Sequence, residues 1–98
     1  MINKPSNQDI LLTHPTPAAG VVWQVVEGEA LLVIPGHGQV KVLNEVGSRI
    51  WSLADGSLTV SEIVDVICRE YDVEYQQARA DVLEFINQLV ERGILTLL

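Results

Sequence analysis

The feature that most constrains this sequence is a change of apolar period near residue 44. Before it, three short runs rich in β-branched residues (21–26, 30–34 and 39–43) are separated by turn-forming glycines. After it, apolar residues recur every three or four positions, as in amphipathic helices. Short turns between successive strands predict an antiparallel meander with the second strand in the centre. The sequence therefore predicts an α+β domain, a three-stranded antiparallel sheet followed by three helices, in the manner of a winged helix-turn-helix.

The helical half carries start and stop signals at its expected boundaries. Asn44 is placed to cap a first helix over 45–53. The stretch from Thr59 to Glu62 has the spacing of a capping box and predicts the start of a second helix. A third helix is predicted over 74–92, with Gly93 after its last turn. Residues 94–98 are predicted to form a short strand or an apolar tail.

The N-terminal residues differ from the rest in composition. Residues 1–18 are polar and hold three of the four prolines, at positions 5, 15 and 17. Proline lacks a backbone donor, and few residues here can pack, so we expect a mobile arm. Ile10, Leu11 and Leu12 are the exception and could attach the arm to the body. The predicted division is an arm over 1–18 and a single domain over 19–98.

Charge and composition exclude several classes of partner. The chain has 98 residues, enough for one domain, and a net charge of −7. An acidic surface counts against nucleic acid and anionic membranes, whose affinity comes from phosphate contacts. Cys68 is the single cysteine, which excludes an internal disulfide and a cysteine-based zinc site. With no apolar run of about 20 residues and no secretory signal, we expect a cytoplasmic protein.

No residue pattern points to catalysis. His14 and His37 lie in the arm and in a glycine-flanked turn, where no regular element would orient them as metal ligands. The serines have no neighbouring histidine, and the 13 acidic residues have the spacing of solvated helix faces. The predicted third helix holds more acidic than basic residues, unlike a DNA-reading helix. We predict a protein that is not an enzyme and needs no metal or cofactor.

Two surfaces are left for binding another chain. The third strand is a predicted sheet edge, and an edge offers unpaired backbone groups to an extended peptide. Lys41 could instead be there to prevent edge aggregation, and the sequence does not separate the two. On the third helix, a predicted core stripe is formed by Ala78, Val82, Phe85 and Leu89. Leu83, Ile86 and Val90 lie to one side, where they could line a groove or pack against residues 94–98.

An ordered set of short motifs resembles the PqqD-like family, which is named for the pyrroloquinoline quinone (PQQ) biosynthesis protein D. The set comprises Leu43-Asn44, Ile50-Trp51, Asp55-Gly56, Thr59-Val60-Ser61-Glu62-Ile63, the run from Asp81 to Leu89, and Gly93-Ile94-Leu95. The resemblance covers residues 20–98. It implies a non-catalytic peptide chaperone, also called a RiPP recognition element, that binds the leader of a ribosomally made precursor peptide. Such a protein presents the leader to a modifying enzyme, a radical-SAM protein in the name-giving members.

Carried over position by position, the resemblance implies a leader that adds as a strand beside the third strand and packs on the third helix. The implied contacts are Gln39, Val40, Lys41, Val42 and Leu43, with Arg79, Leu83, Ile86, Asn87 and Val90 as the helical wall. The stretch from Val33 to Gly38 departs from the Tyr-Pro-Glu-Gly typical of members dedicated to the quinone. The cargo could therefore belong to that pathway, to a lasso peptide or to another cluster. The competing hypothesis is an acidic winged-helix interaction module that binds no leader, and both a monomer and a strand-exchanged dimer are compatible with the sequence.

Overall fold

The computed structural model describes residues 7–34, 36 and 38–98. Its elements follow one another as α1 (Asn7–Leu11), β1 (Pro15–Pro17), β2 (Val22–Val26), β3 (Glu29–Ile34), β4 (Gln39–Val42), α2 (Glu45–Leu53), α3 (Val60–Glu70), α4 (Tyr75–Glu91) and β5 (Leu95–Leu97). The predicted α+β class and the order of three strands before three helices are confirmed. The likeness to a winged helix-turn-helix is loose, because the chain also has an N-terminal helix, α1, and a second, two-stranded sheet formed by β1 and β5.

The main sheet is an antiparallel meander in the order β2-β3-β4, with β3 in the centre as predicted. A tight turn joins β2 to β3, and its residues Glu27 and Gly28 both have positive φ, 52° and 81°. A two-residue turn with positive φ at both positions matches the right-handed twist of the two strands that it joins. Leu32, at the middle of β3, is fully buried, so one face of the sheet covers the helices.

A buried serine joins the sheet to α2. The Ser48 hydroxyl accepts a hydrogen bond from the Ala30 N–H at 2.8 Å and donates one to the Leu43 carbonyl at 3.2 Å. The Leu43 N–H in turn donates to the Ala30 carbonyl at 2.9 Å. One bond of the β3–β4 ladder is therefore relayed through a helix side chain, which fixes α2 against the end of both strands.

The helices begin where the sequence predicts. The Asn44 side chain accepts from the Gly47 N–H at 2.8 Å, and Thr59 and Glu62 form a reciprocal capping box at the start of α3. Bidentate hydrogen bonds of 2.8 and 2.7 Å join Arg49 on α2 to Glu70 at the end of α3. The core lies between the inner sheet face and the three long helices, with α3 and α4 as the most closely packed pair.

The N-terminal segment packs against the domain over the described residues 7–18, and Ile10 attaches it to the body as the sequence suggested. Ile10 of α1 is 5% exposed, and β1 pairs antiparallel with β5. The N–H groups of His14 and Ala18 donate to the carbonyls of Leu98 and Ile94. Residues 1–6 lie outside the described part of the chain, and the mobility of the arm stays a prediction.

The two prolines of β1 are compatible with this pairing because of where they fall in the ladder. His14 and Leu98 exchange both backbone hydrogen bonds, at 2.8 and 2.9 Å. Bonded and non-bonded pairs alternate in an antiparallel ladder, so Pro15 and Pro17 occupy the non-bonded positions. Neither proline therefore occupies a position at which the ladder needs a backbone N–H donor.

Candidate functional site

The free edge of β4 presents the backbone groups of two residues. The Leu43 N–H points towards β3, since it donates to the Ala30 carbonyl. The direction of the backbone N–H and C=O groups alternates along a strand. Those of Lys41 and Gln39 therefore also point towards β3, where their register partners are Leu32 and Ile34. The N–H and C=O groups of Val40 and Val42 therefore point away from the sheet. This is the arrangement that a further strand needs in order to pair with β4.

The side chains of β4 divide between the two faces of the sheet. Val40 and Val42 lie on the outer face and are 61% and 57% exposed. Lys41 is half-buried on the inner face, where its register partner is Leu32. Leu43, one position beyond the strand and on the same face as Lys41, is 4% exposed and belongs to the core.

One flank of α4 runs alongside the β4 edge. At the end of the strand, a Cβ built on Gly47 would lie 3.0 Å from the Phe85 ring and 3.6 Å from the Leu43 Cβ. At its beginning, an open cleft of about 510 Å³ is lined by Ile34, Gln39, Glu91 and Arg92. Phe85 and Arg92 are seven residues apart, two turns along one face of a helix. We call the Phe85–Arg92 flank and the inner side of β4 together the edge groove.

The predicted helical wall only partly agrees with this geometry. Leu83 and Ile86 are 4% and 0% exposed and belong to the core, and their contact with a peptide stays a prediction. Arg79, Asn87 and Val90 are half-buried. At about 100° per residue, these three lie roughly 120–160° around the helix from Phe85. The predicted core stripe is largely confirmed, since Ala78, Val82 and Leu89 are buried and Phe85 packs against the core while remaining half-buried.

The sequence assigned Phe85 only to the core and missed its place beside the β4 edge, which Gly47 could have indicated. A glycine inside a helix weakens that helix and often indicates close packing. Here the missing side chain leaves space for the half-buried Phe85 ring. The ring would otherwise meet an α2 side chain beside the end of β4.

A second cleft, of about 600 Å³, lies at the opposite edge of the sheet, beside β2. It is lined by Thr16, Pro17, Ala18, Val21, Trp23, Trp51, Ser52, Ala54 and Asp55. Trp23 and Trp51 pack edge to face, with ring centroids 5.4 Å apart. The cleft joins β1, β2 and α2, and its walls are mainly apolar.

The described ionisable groups whose pKa values are shifted lie on α2, on α3 and in the loop between them. Two hydrogen bonds from Ser57 lower the pKa of Asp55, and the Thr59 N–H lowers the pKa of Glu62. The hydrogen bonds between Arg49 and Glu70 lower the pKa of the glutamate and raise that of the arginine. Each of these interactions fixes a helix end or a helix pair, so they are structural.

Residues 7–34, 36 and 38–98 hold neither a metal-binding cluster nor a membrane-spanning helix. That part of the chain contains no cluster of three or more His, Cys, Asp or Glu side chains able to hold a metal ion. His14 is half-buried, and its backbone pairs with Leu98, whereas His37 lies outside the described residues. Within the same residues, no helix combines the length and apolarity needed to cross a bilayer.

Two solved structures share this fold. TbiB1 in complex with the TbiA(beta) leader peptide is 34% identical, with a TM-score of 0.76, and the match covers 82% of this chain and 93% of that one. The PqqD truncation of Methylobacterium extorquens PqqCD is 25% identical, with a TM-score of 0.71 and 93% of both chains covered. It is described as a functional and stand-alone recognition element for ribosomally synthesised and post-translationally modified peptides. A search of curated proteins gave no match.

Together, the fold and the site define a small α+β domain that keeps one sheet edge open beside a helix. The family described as coenzyme PQQ synthesis protein D (PqqD) matches residues 29–95. The chain belongs to the PqqD family, as its motifs predicted. The matched segment begins at β3 and ends in β5, so it contains both sides of the edge groove.

Proposed function

We propose that this chain is a non-catalytic peptide chaperone that binds the leader of a ribosomally made precursor peptide. The observation that carries the proposal is the β4 edge, where Val40 and Val42 direct their backbone groups outwards beside α4. An extended peptide can add there as a fourth strand. The TbiB1 structure supports this use of the fold, because that relative was solved with a leader peptide.

The edge groove supplies different kinds of contact along its length. Backbone pairing to β4 gives affinity without reading sequence, so selectivity has to come from side chains. Phe85 offers a half-buried aromatic surface at one end, and Gln39 and Arg92 offer polar groups at the other. The peptide contacts that we propose on the strand are Gln39, Val40, Lys41, Val42 and Leu43. On the helix we propose Phe85 and Arg92, and the flank with Arg79, Asn87 and Val90 is the alternative that the sequence resemblance implies.

The partner that receives the cargo is part of the proposal. A chaperone of this kind hands the leader to a modifying enzyme, such as a radical-SAM protein, in the cytoplasm where the precursor is made. We expect dissociation constants from high nanomolar to micromolar, about −7 to −9 kcal/mol, which permit release. The quinone pathway, a lasso peptide and other peptide clusters are all compatible sources of the cargo.

The first experiment is an amide NMR titration with synthetic leader segments of short precursor genes next to the gene for this chain. We expect shifts concentrated on residues 39–43 and on the Phe85–Arg92 flank. Shifts confined to Arg79, Asn87 and Val90 would assign the helical contact to the other flank. If these peptides bind but leave both regions unmoved, the proposed site is wrong. If none binds, the competing interaction module is favoured.

A proline substitution tests backbone pairing directly. The N–H of Val40 points away from β3, so Val40→Pro removes an edge donor and leaves the β3–β4 ladder intact. We expect peptide binding to weaken about tenfold, which is the loss of roughly one hydrogen bond. The measurement is a dissociation constant by calorimetry, after circular dichroism shows that the variant is folded.

Val25→Pro is the matched control. Val25 lies on the opposite edge strand, is 60% exposed against 61% for Val40, and faces Ala30, whose backbone groups are directed to β4. Its own N–H therefore also points away from the sheet. Both prolines place the same constraint on an edge strand, and only Val40→Pro should affect binding. Equal weakening by the two variants would contradict strand addition at β4.

A further inference from the structure

The outer face of the sheet is covered by valines that no described element packs over. One row across the strands consists of Val22, Val33 and Val40, which are 63%, 42% and 61% exposed. The next row contains Leu31 and Val42, the latter 57% exposed. Exposed apolar side chains are ordinary when they occur singly, whereas a contiguous group of them indicates a binding surface.

Two of these valines also form the peptide-binding edge. The backbone groups of Val40 and Val42 point out of the sheet edge, and their side chains stand on the outer face. A strand that pairs with them brings its own alternate side chains into the same two rows, about 4.5–5.5 Å away between Cβ atoms. Those side chains would be on the solvent side of the peptide, away from the edge groove.

We infer that β4 selects its peptide on both faces, with apolar β-branched or aromatic residues preferred at two solvent-side positions, i and i+2, opposite Val40 and Val42. The inference rests on the proposed function, since it specifies the peptide bound at that same edge. Cross-strand pairs of β-branched and aromatic residues stabilise neighbouring strands, whereas a polar residue there gains nothing from a valine. The preferred ligand is therefore an extended peptide that is apolar on both sides over this stretch, without the usual alternation of a half-exposed strand.

The test begins with a displayed library of random 12-residue peptides, selected on the immobilised full chain. Enriched peptides are made synthetically, and NMR contacts to the β4 amides establish which peptide residues lie opposite Val40 and Val42. We expect apolar residues at both solvent-side positions. Replacing each of them by serine should weaken binding roughly two- to fivefold.

The variant that tests the pairing is a double substitution, Val40→Thr with Val42→Thr. Threonine keeps the shape and the β-propensity of valine and adds a hydroxyl on an exposed face. The double threonine variant should bind the serine peptides nearly as tightly as their parent peptides, because its valine side chains, the apolar partners, have been replaced. Val22→Thr is the control, since that residue is equally exposed on the same face but lies on the far strand. With Val22→Thr, serine in the peptide should weaken binding by the same factor as it does with the wild-type chain.

The outcomes separate the inference from the function on which it rests. If selected peptides shift the β4 amides but are polar at the solvent-side positions, the two-faced selection is wrong and strand addition stands. If no selected peptide shifts those amides, the proposed function itself fails. Sedimentation that shows a dimer lost in the double threonine variant would assign the valine face to a second copy and overturn the inference.

Discussion

Ser48 shows at the scale of one residue how a polar group can hold a core together. It is 8% exposed and belongs to α2, yet its hydroxyl completes the ladder between β3 and β4. Its two partners, the Ala30 N–H and the Leu43 carbonyl, are backbone groups that need a partner once they are removed from water. The residue therefore fixes how the helical half is seated on the sheet next to the edge groove.

We predict that Ser48→Ala lowers the free energy of unfolding by about 1–3 kcal/mol, because it leaves a buried donor and a buried acceptor unsatisfied. Chemical denaturation measures the loss. The control is Ser52→Ala, an exposed serine of the same helix that bonds within its own turn, which should change stability by less than about 0.5 kcal/mol. Equal effects would show that the relay contributes no stability.

At the scale of elements, the N-terminal segment is part of the folded domain. Ile10 anchors α1 in the core, and β1 joins β5, so the two ends of the described chain are fixed to each other. From the sequence, the prolines indicated an extended or mobile arm, with Ile10, Leu11 and Leu12 as possible points of attachment. Pro15 and Pro17 occupy the non-bonded positions of the ladder because of their register with β5, and no local sequence pattern predicts that register.

We predict that Ile10→Ala destabilises the domain by about 2 kcal/mol or more, through lost burial and a cavity under α1. Leu12→Ala removes the same kind of side chain just beyond α1, where it is 76% exposed, and should cost less than about 0.5 kcal/mol. Thermal and urea denaturation of both variants measure the difference. If Ile10→Ala is as mild as Leu12→Ala, the N-terminal helix is not docked in solution.

For the molecule as a whole, carboxylate hydrogen bonds at the ends of the helices make stability depend on pH. The pKa values of Asp55, Glu62 and Glu70 are all lowered, each by hydrogen bonds that the ionised carboxylate accepts. A carboxyl whose pKa is lower in the folded state stabilises the fold above its ordinary pKa of about 4. That contribution is lost as the pH falls through the lowered folded value.

We therefore predict that the free energy of unfolding decreases as the pH is lowered from about 5 to 3, because the unfolded chain binds more protons in that window. Urea denaturation at several pH values measures the slope. In a variant with Asp55→Asn, Glu62→Gln and Glu70→Gln the slope should be shallower, since the amides do not titrate. A slope equal to that of the wild type would mean that these three bonds do not control acid stability.

The sequence alone determined the features that depend on neighbours along the chain. Strand and helix periods, the Asn44 cap, the capping box at Thr59 and the central position of β3 all follow from local patterns and short turns, and the structure has each of them. The family resemblance was likewise carried by ordered local motifs. These features are set within a few residues, where propensity and hydrogen-bond geometry act directly.

Which flank of α4 faces the β4 edge depends on packing between distant parts of the chain. On α4 the apolar arc is wide, so periodicity gives its centre but not the side on which the sheet lies. That choice depends on Gly47, 38 positions before Phe85, and on the relay through Ser48 that seats α2. The pairing of β1 with β5 was decided in the same way, across the whole described chain. Contacts between distant positions carry no local period, because their register is fixed only when the core packs.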